Sequence, residues 1–101
     1  MDANKIVLEA IALRKRIEAL YNGGVVKLAP HILYTRHGEL YVDAVTVARD
    51  GRPPRETKIG AFKLAGLKGM TLADGPFRPA PIFDPADSKY DGVALFAVEM
   101  G

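Results

Sequence analysis

HILYTRHGELYVDAVTVA, residues 31–48, places two apolar runs on either side of the dipeptide His37-Gly38. Both runs are rich in β-branched and aromatic residues, and a short polar connection that contains glycine is typical of two antiparallel strands. The stretch therefore predicts a β-hairpin. Because side chains alternate between the two faces of a strand, Tyr41 lies on the outer face if Leu40 points inward.

Runs that are likewise rich in β-branched and aromatic residues continue through residues 24–72 and are divided by glycine and proline. Residues 49–54 read as a longer, basic connection between two strands. Gly66 interrupts a later pair of runs, and an isolated glycine in a strand series indicates a bulge or a sharp bend that lets a short sheet curl. We therefore predict a mainly β fold, a small antiparallel barrel of the SH3-like or Sm-like kind over residues 24–72.

The segment before this region has a helical pattern. Apolar residues recur at spacings of three and four over residues 3–21, with charged residues between them. Asp2 is a plausible N-cap, and the glycine pair of Asn22-Gly23-Gly24 is suited to ending a helix. We predict an N-terminal helix over residues 3–21 that packs on the barrel.

The last third of the chain, residues 73–101, reads as an extended arm. Four of the seven prolines fall within ten residues there, and proline does not occupy central strands. Asp84-Pro85 is typical of the start of a short helix, and the apolar run 93–98 predicts a last strand at a sheet edge. That edge can belong to the same chain or to a second copy, so the alternative function is a homodimer formed through residues 73–101.

The chain of 101 residues is long enough for one domain, residues 1–101, and it has no cysteine. Its charge is uneven: residues 14–68 carry eleven Lys and Arg against five Asp and Glu, a local net of +6. Such an excess indicates a surface that attracts phosphate-bearing partners, although cations that only solubilise a sheet give the same count. The N-terminus lacks the pattern of a signal peptide, so we expect a cytoplasmic protein with no membrane contact.

The sequence offers little for catalysis. His31 and His37 are the two imidazoles, Ser88 is the one serine, and no nucleophile or phosphate-loop motif is present. The carboxylates near Asp84 have the pattern of helix capping. We predict no catalytic residue, no metal site and no cofactor.

AIALRKRIEALYNGG, VVKLAPHIL, HGELYVDAV and IGAFKLAGLKGM follow one another in an order and spacing that resemble the WYL domain of bacterial transcriptional regulators. The resemblance covers roughly residues 6–70. It implies a non-catalytic sensor of nucleic acid or nucleotide-like ligands in a regulatory setting. The chain departs from the family at Leu40, where the tryptophan would stand, and at Gly60 and Gly66, where arginines are usual; a degenerate ligand site is therefore a further alternative.

A tyrosine on an open sheet face beside cations offers a stacking surface for a base and attraction for its phosphate. The alternative for Tyr41 is that its ring packs beneath the helix, with the hydroxyl at the rim. We predict that single-stranded nucleic acid or a nucleotide is the ligand. The predicted contacts are Tyr41, His31, Lys58 and Lys63, with Arg36 and Arg55 at the rim.

Overall fold

The computed structural model describes residues 2–100. Within these residues the chain is mainly β, with one α-helix at the N-terminus and six strands in one antiparallel sheet, which confirms the predicted fold class. No helix in this range has the length and apolar character needed to cross a membrane. The elements are α1 (Ala3–Leu13), β1 (Lys15–Tyr21), β2 (Gly24–Arg36), β3 (Glu39–Arg49), β4 (Ile59–Lys63), β5 (Lys68–Pro76) and β6 (Ala94–Ala97), with 3-10 turns at Leu64–Gly66 and Ser88–Tyr90.

Helix α1 ends at Leu13, so the prediction of a helix over residues 3–21 is wrong for its second half. The helix begins as predicted, because the Asp2 carboxylate accepts the N–H of Asn4 at 3.0 Å. It ends at Arg14, which has a φ of 54° and donates its N–H back to the last turn. A residue other than glycine in this left-handed conformation is uncommon, and nothing in the sequence pattern marks the stop.

The residues after Arg14 can form β1 because their apolar side chains recur with the two-residue period of a strand as well as with the period of a helix. Ile17 and Ala19 are buried, whereas Glu18 and Leu20 are exposed, and this alternation is that of a strand. β1 pairs antiparallel with both β2 and β5. Hydrogen-bonded pairing with a strand on each side stabilises β1 by more than the intrinsic helix propensity of its residues, which is less than about 1 kcal/mol per residue.

Two-residue turns of one kind connect β1 to β2 and β2 to β3, and a third follows β3 and closes the isolated bridge between Arg49 and Arg52. Asn22-Gly23, His37-Gly38 and Asp50-Gly51 each place both residues at positive φ, as type I′ turns require. The hairpin predicted at His37-Gly38 is confirmed, with Arg36 and Glu39 as the closing pair. The first dipeptide was expected to end a helix and instead turns β1 into β2.

The sheet has the strand order β4-β3-β2-β1-β5, and β6 pairs with β2 beyond the end of β1. The strand predicted for residues 93–98 is therefore present, on an edge of its own sheet. β4 and β5 stand at the two ends of the order and are joined by the 3-10 turn Leu64–Gly66, which is where the bend expected at Gly66 lies. Among residues 2–100 no pairing joins β4 to β5. The antiparallel sheet is therefore confirmed, whereas its closure into a barrel stays a prediction.

The two faces of β3 are covered by different parts of the chain. Val42 is fully buried, and Leu40 on the same face lines a shallow cleft with Ala3 at the start of α1. Asp43 points to the other face and is also fully buried. Residues 77–93 of the arm cover this second face, which is also the face of the predicted contact Tyr41.

The arm folds back onto the sheet of its own chain. Tyr90 and Val98 are buried, and the Val98 N–H donates to the carbonyl of His31 at 2.7 Å. The short helix predicted from Asp84 is reduced to the 3-10 turn Ser88–Tyr90. The arm is therefore part of the core.

Candidate functional site

A buried carboxylate lies between the arm and the sheet. Asp43 has 0% exposed surface and accepts three side-chain hydrogen bonds. The Tyr34 hydroxyl donates to Oδ1 at 2.6 Å, and the Tyr90 hydroxyl donates to Oδ2 at 2.5 Å. The Lys89 ammonium donates to the same Oδ2 at 2.7 Å. Hydrogen bonds to an ionised group are short and about twice as strong as neutral ones, so the bonds from Lys89 and Tyr90 hold the turn Ser88–Tyr90 against β3.

Both phenols of this network are held in the protonated form. Burial raises the pKa of Tyr34 and of Tyr90 well above the usual value of 10.0, and the hydrogen bond to Asp43 raises each further. Each hydroxyl therefore keeps its proton and donates it in a hydrogen bond to the carboxylate. Since Asp43 itself has no exposed surface, the arrangement serves as a structural connection of the arm to the sheet.

Tyr41 lies on the same face, at the edge of the arm, and its ring is half-buried. It pairs across the ladder with Tyr34, and the two rings stack with centroids 6.0 Å apart. The guanidinium carbon of Arg36 lies 5.9 Å from the Tyr41 ring centroid. Lys63 is its neighbour on β4. The structure therefore brings together three of the six predicted contacts, Tyr41, Arg36 and Lys63, and does not place Tyr41 beneath the helix.

Lys63 is paired with a carboxylate in this arrangement. Its ammonium lies 2.8 Å from Oε2 of Glu39, and both side chains are about half exposed. The hydrogen bond and the charge of Glu39 raise the pKa of Lys63. An ion pair this exposed is screened by water and contributes little to stability, so Lys63 can exchange Glu39 for another anion at low cost.

A cleft of about 490 Å³ opens beside Arg36, between the end of the β2–β3 hairpin and the arm. Lys89 lines it from the arm, with its ammonium 5.2 Å from the ring centroid of Tyr90. Lys89 is not among the predicted contacts, because its partner Asp43 is 46 residues away and no local sequence pattern links the two. The cleft is lined by Tyr34, Thr35, Arg36, His37, Lys89 and Val93.

His31 was predicted as a water-facing contact, and the structure places it in the core with 0% exposed surface. It sits at a register shift between Pro30 and Ile32, a β-bulge that turns the ring beneath the arm. The Ala80 N–H donates to Nε2 at 2.9 Å, so Nδ1 carries the proton and donates to the Ala29 carbonyl at 2.8 Å. Both ring nitrogens are in use, and the expectation that His31 faces a ligand from the surface is wrong.

Lys58 and Arg55 lie elsewhere. Lys58 precedes Ile59 at the far end of β4 from Lys63, and four residues of extended chain separate the two lysines by about 16 Å. It lines a separate cleft of about 470 Å³ with Arg52 and other residues of the β3–β4 connection. Arg55 is exposed in the same connection. The six predicted contacts therefore fall in three places, and only the group around Tyr41 forms a shared surface.

No family model, no curated protein and no solved structure matches this chain. The resemblance to the WYL domain therefore stays a prediction. Within residues 2–100 no group of three or more His, Asp or Glu side chains is placed to hold a metal ion.

We expect Asp43→Asn to lower the free energy of unfolding by about 2–4 kcal/mol, because an amide replaces the charged acceptor of three hydrogen bonds and turns a donor toward other donors. Urea unfolding measures the change. Glu39→Gln is the matched control, since it removes an exposed carboxylate that also pairs with a lysine, and it should leave stability nearly unchanged. An Asp43→Asn variant as stable as the original chain would contradict the role given to this network.

Burial lowers the pKa of His31 below 6.5, although the bond to the Ala29 carbonyl opposes the shift. Below about pH 6.5 the unfolded chain therefore binds a proton that the folded chain does not. We expect the free energy of unfolding to be constant above about pH 7 and to fall below it by up to about 1.4 kcal/mol per pH unit.

Urea unfolding at a series of pH values above the carboxylate range tests this expectation. His31→Gln keeps an acceptor for the Ala80 N–H and removes the titrating ring, so its stability should not depend on pH in this window. His37→Gln changes an exposed histidine in a turn and should keep the slope of the original chain. A slope that persists in His31→Gln would assign the effect to another group.

Proposed function

We propose that the chain is a non-catalytic recognition domain that binds a nucleotide, free or as part of a single strand, at the end of the β2–β3 hairpin. We call this surface the hairpin patch. It consists of Arg36, His37, Glu39, Tyr41, Lys63 and Lys89. The observation that carries the proposal is the exposed guanidinium of Arg36 above the ring of Tyr41.

Arg36 supplies the contact for a phosphate. Its side chain is exposed, and among residues 2–100 it forms no ion pair. A planar guanidinium binds two phosphate oxygens at once, which a single ammonium cannot do. When Arg36 turns toward a phosphate, it uncovers the edge of Tyr41, and a base can stack on that ring or on the guanidinium plane.

The charge of the hairpin patch favours a small anion over a long one. Three cations, Arg36, Lys63 and Lys89, stand against the carboxylates of Glu39 and Asp43, which leaves a local net charge of +1. A long polyanion needs a series of cations along its backbone. One nucleotide needs a single phosphate contact and one aromatic surface, and the patch offers both.

Titration of a fluorescent mononucleotide and of a short labelled oligonucleotide tests the proposal at about 50 mM and 200 mM salt. We expect both to bind, more weakly at the higher salt. Tyr41→Leu should weaken binding by about tenfold, as expected for the loss of one stacked base. Arg36→Gln should weaken binding and reduce its salt dependence.

Arg55→Gln is the control for net charge, because it removes a cation from the distant β3–β4 connection. It should bind as the original chain does at both salt concentrations. If Arg36→Gln and Arg55→Gln reduced nucleotide affinity equally, the binding would be due to general charge attraction. Absence of binding at low salt would refute the proposal.

A homo-oligomer formed through the arm is the second candidate. Leu95 and Phe96 on β6 are 56% and 40% exposed, and within residues 2–100 β6 pairs with β2 alone. Exchange of the arm between chains would only re-form the contacts of Asp43 and His31 with the arm of the second copy. Edge pairing of β6 with a second copy would instead cover the exposed Leu95 and Phe96, so it is the form favoured here. Light scattering should then give a dimer that Leu95→Lys converts to a monomer; a monomer at all concentrations removes this candidate.

A further inference from the structure

A second cleft lies on the same face of the sheet, on the other side of the arm. Its volume is about 560 Å³, which is within the range of small-molecule sites. We call it the arm cleft. Val45 and Val47 of β3 form one wall, and the arm segment from Pro76 to Pro81, with Phe77, forms the other. Among residues 2–100, the arm cleft and the cleft beside Arg36 have no lining residue in common.

Arg16 reaches the arm cleft from β1. The pairing of β1 with β5 shifts register between Lys15 and Ile17, so Arg16 sits in a bulge that redirects its side chain. Nη1 of Arg16 lies 3.4 Å from where a Cβ of Gly75 would stand, and Gly75 has a φ of 94°. A glycine at that position thus lets the guanidinium lie close against the backbone of β5.

The guanidinium of Arg16 has an unused donor. Nε is buried and has no hydrogen-bond partner within residues 2–100, and the residue forms no ion pair there. A buried donor without an acceptor is unusual in a folded protein and is costly, most of all on a charged group. A molecule in the cleft meets the same guanidinium through its Nη nitrogens, and a planar oxyanion fits that fork best.

The residues that line the arm cleft determine which kind of molecule can bind there. Arg16 and Arg78 are the cations of the arm cleft, and no Asp or Glu lines it among the described residues. The rest of the surface comes from valine, proline, alanine, phenylalanine and one threonine, together with His31, whose ring nitrogens are already bonded. An apolar wall with a guanidinium at one end suits a molecule with one negative group and an apolar body.

We propose that the arm cleft binds a small apolar carboxylic acid. The carboxylate pairs with the guanidinium of Arg16, with Arg78 adding attraction at the exposed rim. The apolar body packs between Val47 and Phe77. A single negative charge suits this wall better than a phosphate does, because the lining offers too few donors for a doubly charged group.

Titration of octanoate by calorimetry tests the inference, with octanol as the uncharged match. Octanoate should bind the original chain more tightly than octanol does. Arg16→Gln should weaken octanoate binding by about tenfold or more, a loss typical of one charge-assisted contact, and leave octanol unchanged. Arg16→Lys keeps the charge without the planar fork and should fall between the two. Arg55→Gln should bind as the original chain does.

NMR of the original chain gives a readout that does not depend on how the variants fold. Octanoate should shift the methyl signals of Val45 and Val47 and leave the Tyr41 ring signals in place. A nucleotide bound at the hairpin patch should not be displaced by octanoate, so either site can fail without the other. Shifts confined to other residues, equal affinity of octanoate and octanol, or Arg16→Gln binding octanoate unchanged would overturn the inference.

Discussion

The buried carboxylate of Asp43 is the constraint on which the outer face of this sheet depends. Removing a carboxylate from water costs several kcal/mol, and the cost is recovered only when every oxygen has good partners. Asp43 finds them on two different parts of the chain: Tyr34 on β2, and Lys89 and Tyr90 on the turn of the arm. Because the partners are far apart in sequence, the carboxylate can be satisfied only when the arm lies across the sheet. A partly satisfied network of this kind is worse than an apolar core, so the position of the arm is strongly determined.

The position of the arm in turn determines which surfaces remain open. Where the arm crosses the sheet it covers His31, whose ring lies 5.1 Å from those of both Phe77 and Phe83, and both ring nitrogens are taken up by backbone groups. On one side of the crossing the arm leaves Tyr41 half open and adds Lys89 to the hairpin patch. On the other side the segment from Pro76 to Pro81 becomes the second wall of the arm cleft. The docking of the arm on the sheet therefore forms both the hairpin patch and the arm cleft.

The sequence was sufficient where structure is local. The hairpin at His37-Gly38 follows from a glycine turn and is as predicted. The period of two decides that Tyr41 lies on the face opposite Val42, and the sequence left open what covers that face. The end of α1 was missed, because a left-handed arginine at position 14 has no signature and the residues after it fit both periods. The positions of His31 and Lys89 could not be predicted from the sequence. They depend on a bulge and on contacts across 46 and 49 residues, which no periodicity encodes.

The shared dependence on the arm has a thermodynamic consequence for any ligand of this face. A molecule that binds only when the arm is docked stabilises the docked state in proportion to its occupancy. The hairpin patch needs the docked arm for Lys89, and the arm cleft needs it for Phe77. Two ligands that both favour the same state bind with positive coupling, and the coupling is equal in both directions. Its size is bounded by how often the free chain releases its arm. The hydrogen bonds of Asp43 hold that fraction low, so the network that builds the two sites also keeps them nearly independent of each other.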